Sequence, residues 1–406
     1  MKIVFFTFYY PPDLSAGSFR SVALSKELSE KIGDTDELHI ITTHPNRYKS
    51  YQVVADDIEL DGNITIHRIR VSSHNSGMIS QSRTFGMYAI AAYKLCKKID
   101  PDFIIGTTGR LMTGGLAGFS ANRLRCGYFI DLKDIFSETI SDVVSRKNLL
   151  LGKITKYFFS FLDARLLSGA SGVNVVSEGF YNYFQSAGVD TSNWLFFPNG
   201  VDKEFIALKN KTNKPPLNVK TILYAGNIGL GQGLDVILPL LAKQLGCKFK
   251  FVIIGDGGRL KKLRDEILKE NLSNVEIILP VNREKLLKYY QEADILFLHL
   301  NDMPAFYRVL PSKIFEYAAI GKPIVAGVNG YSEKFMKDNV PYATVFNSGD
   351  VDGAYSSILI ASVLDVPDDS VSDFVKHYSR ELIMNEMADK ILNLAKLSVI
   401  KGKVQT

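Results

Sequence analysis

The chain has 406 residues, more than one hydrophobic core usually serves, so its length predicts two domains. Its 48 Lys and Arg against 43 Asp and Glu leave a net charge of +5, too mild for a nucleic-acid footprint but compatible with leaning on an anionic membrane surface. Cys96, Cys126 and Cys247 are odd in number and far apart, which argues against a disulfide framework and for a reducing compartment, most simply the cytoplasm. The six histidines show no metal-ligand spacing, so no protein-built metal site is expected.

Met1 to Phe8 is apolar but stops at Pro11-Pro12-Asp13 with no small-residue cleavage site, and it reads as a buried first strand. The loop from Tyr9 to Arg20 then leads into a helix with Val22, Leu24 and Leu28 at helical spacing. Such a loop lies at the carboxyl end of an open sheet, where ligands bind. There Gly17 allows close backbone approach to a donor, Ser18 beside it joins the donor-binding candidates, and Arg20 is expected to face an anion. Strands follow at 38–43 and 64–69, with a polar loop from His44 to Asp57. An amphipathic helix is expected over 85–99, then a strand at 103–106 and a glycine-rich turn into a helix over 107–118. Tyr128 to Leu132 is a strand with charge directly after it, in Lys133, Asp134 and Glu138.

Residues 147–168 alternate basic and bulky apolar positions, as an interfacial helix does; an internally packed helix is the other reading. No stretch reaches the ~18 to 20 uncharged apolar residues of a membrane-spanning helix. Pro198-Asn199-Gly200-Val201-Asp202 is a strong turn signal, and the polar run from Lys209 to Lys220 marks a low-contact connection. A second strand, glycine loop and helix begin at Thr221, with Gly226, Asn227, Gly229, Gln232 and Gly233 in the loop. Glycines there let backbone N–H groups crowd round a pyrophosphate. Residues 251–254 form another strand ending at Asp256 and Gly257, and Val281 follows the strand at 275–279. The strand 295–298 leads to a loop ending at Arg308. Pro311-Ser312-Lys313 then opens a short helix whose free N–H groups favour a phosphate, while Glu316, one turn further in, has the reach to accept hydrogen bonds from ribose hydroxyls. Helix is expected again from Val371 to Leu397.

Taken in order, Pro-Asn-Gly-Val-Asp, the Gly-Asn-x-Gly-x-x-Gln-Gly loop, the Gly-Asp-Gly turn and Pro-Ser-Lys-x-x-Glu-Tyr-x-Ala-x-Gly-Lys-Pro resemble family 4-type retaining glycosyltransferases. The Asn-Gln form of the glycine loop is most similar to transferases for N-acetylated amino sugars, such as N-acetyl-L-fucosamine, in bacterial O-antigen or capsule assembly. The resemblance implies an α/β fold of the GT-B type, with two Rossmann-like, doubly wound parallel-sheet domains facing across a cleft. Residues 1–198 would be the acceptor-binding domain, rejoined by a C-terminal helix from about 371 to 406, and 199–370 the nucleotide-sugar domain. It implies a UDP-sugar donor, an undecaprenyl-type lipid-linked acceptor, no metal, no nucleic acid, and a peripheral place on the cytoplasmic face of the membrane.

By the same resemblance Gly226 to Gly233, Arg308, Pro311, Ser312 and Lys313 would serve the diphosphate. Glu316 would hold the ribose, Asp256, Gly257 and Val281 the nucleoside, and Lys133, Asp134 and Glu138 the acceptor or reacting centre. Two departures stand out. Lys133 replaces an arginine, losing a planar fork, and Arg308 occupies the position of the first of two family glutamates. A UDP-sugar 2-epimerase on the same architecture and a non-catalytic nucleotide-sugar-binding subunit remain alternatives.

Overall fold

The computed structural model describes residues 1–13, 15–46, 53–71, 78–108, 111–135, 149–206 and 219–404. They form two compact units, Met1–Asn199 with Glu381–Thr406, and Gly200–Arg380.

In the first unit the strands are β1 (Lys2–Phe6), β2 (Glu37–Thr43), β3 (Ile58–Asp61), β4 (Ile64–Ile69), β5 (Phe103–Thr107), β6 (Gly127–Leu132), β7 (Gly172–Val175) and β8 (Leu195–Phe196). They make one sheet in the order β3-β4-β2-β1-β5-β6-β7-β8. Every pairing is parallel except the β3/β4 edge. Ile3, Val4, Phe5 and Phe6 are all fully buried, as a central parallel strand covered on both faces requires. The order reverses at β1, whose neighbours are β2 and β5, so the loops leaving β1 and β5 flank a topological switch point. Ser15 caps the helix Ala16–Lys31 after β1 by accepting from the Ser18 amide at 3.1 Å.

The second unit contains β9 (Lys220–Asn227), β10 (Phe249–Asp256), β11 (Val275–Ile278), β12 (Ile295–His299), β13 (Ile324–Gly327) and β14 (Ala343–Phe346). Their order is β11-β10-β9-β12-β13-β14, parallel throughout. Alternate residues of one strand enter opposite cores: Leu223 and Ala225 join one apolar cluster, Ile222 and Tyr224 the other. Here the order reverses at β9, so the loops after β9 and β12 meet at the switch point.

The tail divides later than the sequence pattern implies. Residues 368–378 form a helix that stays with the second unit, where Val371 and Phe374 are buried in the core containing Phe315. The chain returns to the first unit only from Glu381, along the helix Arg380–Val404. The Val201 amide donates to the Tyr378 carbonyl at 2.7 Å and the Arg380 amide to the Val201 carbonyl at 2.9 Å, which fixes 379 as the break between the two helices. No Gly or Pro marks that break in the sequence.

Candidate functional site

The loop after β9 is built by its own polar side chains. Asn227 Nδ2 donates to Gln232 Oε1 at 2.9 Å, and the Gly229 amide donates to the same oxygen at 3.2 Å. This folds residues 227–232 over the strand end. The Tyr224 hydroxyl donates to the Asn227 carbonyl at 2.6 Å, while the Ile228 amide reaches the Asp256 carbonyl at 2.9 Å, binding the loop to the end of β10. Gly257 follows directly, its amide donating to Asp256 Oδ1 at 2.7 Å.

The end of β12 supplies His299, which the sequence reading missed, and the loop after it supplies Asn301, which that reading placed over the sugar site without a role in holding the glycine loop. His299 is buried; the Gly349 amide donates to its Nε2 at 3.0 Å, leaving Nδ1–H to donate to the Gln232 carbonyl at 2.7 Å. Burial holds its pKa below the usual imidazole value, against the opposing pull of the Gln232 carbonyl. The Asn301 amide donates to the Gly231 carbonyl at 2.7 Å, and its side-chain amide to the Leu230 carbonyl at 3.2 Å. The available signal was position, since both residues end or follow a buried strand at the switch point.

The helix Ser312–Ile320 enters beside this loop, with Pro311 before its first turn and Gly321 in the left-handed conformation closing it. Its first amides have no intrahelical carbonyl to meet. Lys313 extends over the Tyr224 ring, its Nζ 5.5 Å from the centroid. It also covers Gly226, where a Cβ would lie 2.0 Å from that nitrogen and 2.4 Å from Cε. Gly226 has φ of +150°, a region that side-chain-bearing residues avoid, so the close approach of lysine and loop requires glycine twice over.

Glu316 lies one turn deeper, half-buried, and accepts from the fully buried Tyr290 hydroxyl at 3.3 Å. Burial raises its pKa, and the nearby Lys313, Arg283 and Arg380 cations do not offset the rise. Arg283 binds the carboxylates of Asp202 and Glu204, with its guanidinium 4.9 Å from the Phe205 ring centroid, and Arg380 Nε lies 2.9 Å from Asp202 Oδ1. This charged group beneath Glu316 was not foreseen, because its members come from three separate parts of the chain.

The structure thus brings together Gly226, Asn227, Gly229, Gln232, Gly233, Asp256, Gly257, Ser312, Lys313 and Glu316 of the expected donor set around the switch point. Arg308 and Val281 are placed by other contacts. Arg308 ends a short 3-10 turn, Pro304–Arg308, and bonds the Pro304 carbonyl at 3.2 Å. Val281 packs half-buried against the core.

In the first unit Arg20 must be reassigned. It is fully buried, and its Nε and Nη2 reach Asp131 at 2.9 and 3.0 Å. Nη1 bonds the Pro198 carbonyl at 2.5 Å, and Nη2 the Phe197 carbonyl at 2.8 Å. These bonds occupy the guanidinium in a structural clamp on the chain's own Asp131 carboxylate rather than at a bound ligand. Burial tends to raise the Asp131 pKa, but Arg20, Lys133 and Asn174 together hold it low. Ser18 is also fully buried, which removes it from a solvent-facing loop. Lys133 lies with its Nζ 3.7 Å from Asp131 Oδ2 and beside Gly17, and Asp134 is exposed next to it. Glu138 lies outside the described residues. Among the described residues no three His, Cys, Asp or Glu side chains gather as a metal site, and no helix is long and apolar enough to cross a membrane.

Comparison with known proteins agrees with this geometry. Residues 206–361 match the family Glycosyl transferases group 1. A putative colanic acid biosynthesis glycosyl transferase of Escherichia coli is 28% identical over 191 residues, a match spanning 45% of this chain and 46%, about half, of that relative. Sucrose-phosphate synthase of Thermosynechococcus elongatus superposes with a TM-score of 0.75 at 14% identity, covering 98% of this chain and 100% of the other. An Anabaena protein, HepE, solved in complex with UDP-glucose, gives 0.67 at 14% identity over 97% and 99% of the two chains. The second unit is thus similar over residues 206–361 to the group 1 glycosyl transferases, and the chain has the GT-B fold.

Proposed function

We propose that the protein is a retaining glycosyltransferase that moves a sugar from a UDP-linked donor to a lipid-linked saccharide in bacterial envelope polysaccharide synthesis. It would act at the cytoplasmic face of the membrane. The observation that carries this reading is the convergence of the 226–233 glycine loop, Lys313 and Glu316 at one switch point. UDP-glucose bound by HepE and the colanic acid role named for the Escherichia coli relative support the donor and the pathway class. An N-acetylated amino sugar is the proposed donor sugar, by the Asn227–Gln232 form of the loop.

As the bond from the anomeric carbon to the diphosphate breaks, its electron pair passes to the leaving phosphate oxygen. Lys313 and the loop and helix N–H groups would stabilise that charge where it develops. Glu316 would accept hydrogen bonds from the ribose hydroxyls and so fix the nucleotide. The acceptor hydroxyl oxygen forms the new bond to the anomeric carbon and its proton passes to the departing phosphate oxygen, with Asp134 and Lys133 assigned to the acceptor side of the reaction.

The test is to incubate the chain with a panel of UDP-sugars and a polyprenyl-diphosphate-linked saccharide, reading UDP release and product configuration by NMR. Acceptor-dependent UDP release with retention supports the reading. Sugar conversion without acceptor would make it an epimerase, and bound UDP without turnover a non-catalytic subunit. Asp134→Asn should spare UDP binding and lower transfer; equal loss of both would make Asp134 structural.

A further inference from the structure

β12 is apolar from Ile295 to Leu298, yet it ends on a buried histidine. An imidazole taken out of water is destabilising unless both of its nitrogens find partners, so its orientation there is closely determined. The ring lies parallel to that of Phe297, 6.4 Å away between centroids, and is tilted 24° from Phe346. Against β13 there is no spare room, since a Cβ on Gly327 would lie 2.4 Å from His299 Cδ2. With Nε2 held by the Gly349 amide, His299 is a fixed post whose one donor, Nδ1–H, is aimed at the glycine loop.

Three successive carbonyls of that loop turn towards the end of β12. Asn301 Nδ2 meets the Leu230 carbonyl, the Asn301 amide meets the Gly231 carbonyl, and His299 Nδ1 meets the Gln232 carbonyl. In a planar trans peptide each carbonyl and the next N–H point opposite ways, so the amides of Gly231, Gln232 and Gly233 are turned away from β12. The Gln232 amide is taken up by the Gly229 carbonyl at 3.3 Å. Those of Gly231 and Gly233 meet no backbone carbonyl among the described residues. A chain with glycine at 226, 229, 231 and 233 has many conformations open to it, and the bonds from 299 and 301 select one of them.

We propose that His299 and Asn301 are positioning residues for a nucleoside diphosphate: by holding the carbonyls of residues 230–232 they present the Gly231 and Gly233 amides to its phosphate oxygens. Neither side chain has to touch the ligand. The proposal rests on the donor site described above and adds which residues outside the loop set the direction of its donors. Amides already aimed need no rearrangement when the phosphates arrive.

The full chain is titrated calorimetrically with UDP, uridine and inorganic pyrophosphate as the parent and as His299→Phe, His299→Gln and Asn301→Ala. A phenyl ring keeps the stack on Phe297 and Phe346 but donates nothing, whereas glutamine can both donate and accept. His299→Phe and Asn301→Ala should each weaken UDP and pyrophosphate about 3- to 10-fold while uridine stays within about twofold. His299→Gln should recover most of the loss. Hydrogen exchange over residues 226–236, read without any ligand, should quicken in His299→Phe and slow again in His299→Gln. Melting curves establish that each variant is folded, and Asn301→Ala, at a half-buried position, carries the test if the buried phenylalanine does not fold. UDP and pyrophosphate affinities that the folded variants retain, or an equal loss of uridine, would overturn the inference while leaving a UDP site in place. A parent chain that binds pyrophosphate as tightly as UDP would contradict the nucleoside part of the donor reading alone, and one that binds neither would contradict both.

Discussion

The Tyr290 hydroxyl donates to Glu316 Oε2 at 3.3 Å from a position with no exposure to solvent. A half-buried carboxylate whose charged form is disfavoured by burial, despite three cations nearby, is retained at a cost to folding. Because its folded pKa is raised, the folded chain holds the proton more tightly, so this carboxyl subtracts stability as pH rises from the ordinary glutamate value, about 4.3, through the raised one. Glu316→Gln should therefore melt higher than the parent at pH 7, with the gap closing below about pH 4. It should also weaken UDP binding by about 1 to 3 kcal/mol. Tyr290→Phe should weaken UDP binding by about 0.5 to 1.5 kcal/mol. Melting curves across pH and calorimetric titration with UDP check these outcomes, and unchanged UDP affinity in Glu316→Gln would remove Glu316 from the site.

Arg20 and Asp131 form a buried ion pair whose remaining atoms meet Asn174 and the Phe197 and Pro198 carbonyls. Arg20→Met should cost about 3 to 5 kcal/mol, because it strands a buried carboxylate. Adding Asp131→Asn should cost less than the two single changes summed. Asp131 has a depressed pKa, so its contribution is present above the ordinary aspartate value, about 3.9, and is lost as pH falls through the folded value. Urea midpoints at pH 7 and pH 3 measure both effects.

Gly226→Ala places a methyl where Lys313 now lies and forces a φ of +150° on a residue that resists it. Displacing the lysine removes a cation from the proposed diphosphate position. UDP affinity should fall at least tenfold while uridine, which lacks the phosphates, loses little. Equal losses for the two ligands would mean that the loop itself had collapsed.

His299 holds the glycine loop through the Gln232 carbonyl in its neutral form. Its lowered pKa means that the unfolded chain takes up a proton first as pH drops, so stability falls below about pH 6.5. His299→Gln, which can still donate and accept, should show a smaller fall in melting temperature between pH 7.5 and 5.5 than the parent. A parallel fall would assign the acid sensitivity elsewhere, with His67, whose pKa is also lowered by burial, as the next residue to replace.

The strands β1, β9, β10 and β12, the glycine loop and the Pro311-Ser312-Lys313 helix start were legible because each is a local pattern of apolar run, glycine turn and helix cap. Arg20 was misread because its carboxylate partner lies 111 residues away, and a lone arginine after a β1 loop looks like an anion ligand until that partner is seen. The cluster of Asp202, Arg283, Tyr290, Glu316 and Arg380 escaped notice for the same reason, being assembled only when the second unit folds. The helix break at Ser379 was invisible since tertiary pairing with Val201, and no turn residue, imposes it.

The most direct measurement is ligand-dependent thermal stabilisation of the full chain across UDP, GDP, ADP and TDP. A ligand at 100 times its Kd should add about 2.7 kcal/mol to the stability of the state that binds it. The account predicts a clear rise in melting temperature with UDP, at least halved in Gly226→Ala and reduced in Glu316→Gln. No shift with any nucleotide, or an equal shift with all four that both variants retain, would contradict a UDP-sugar site built on these residues.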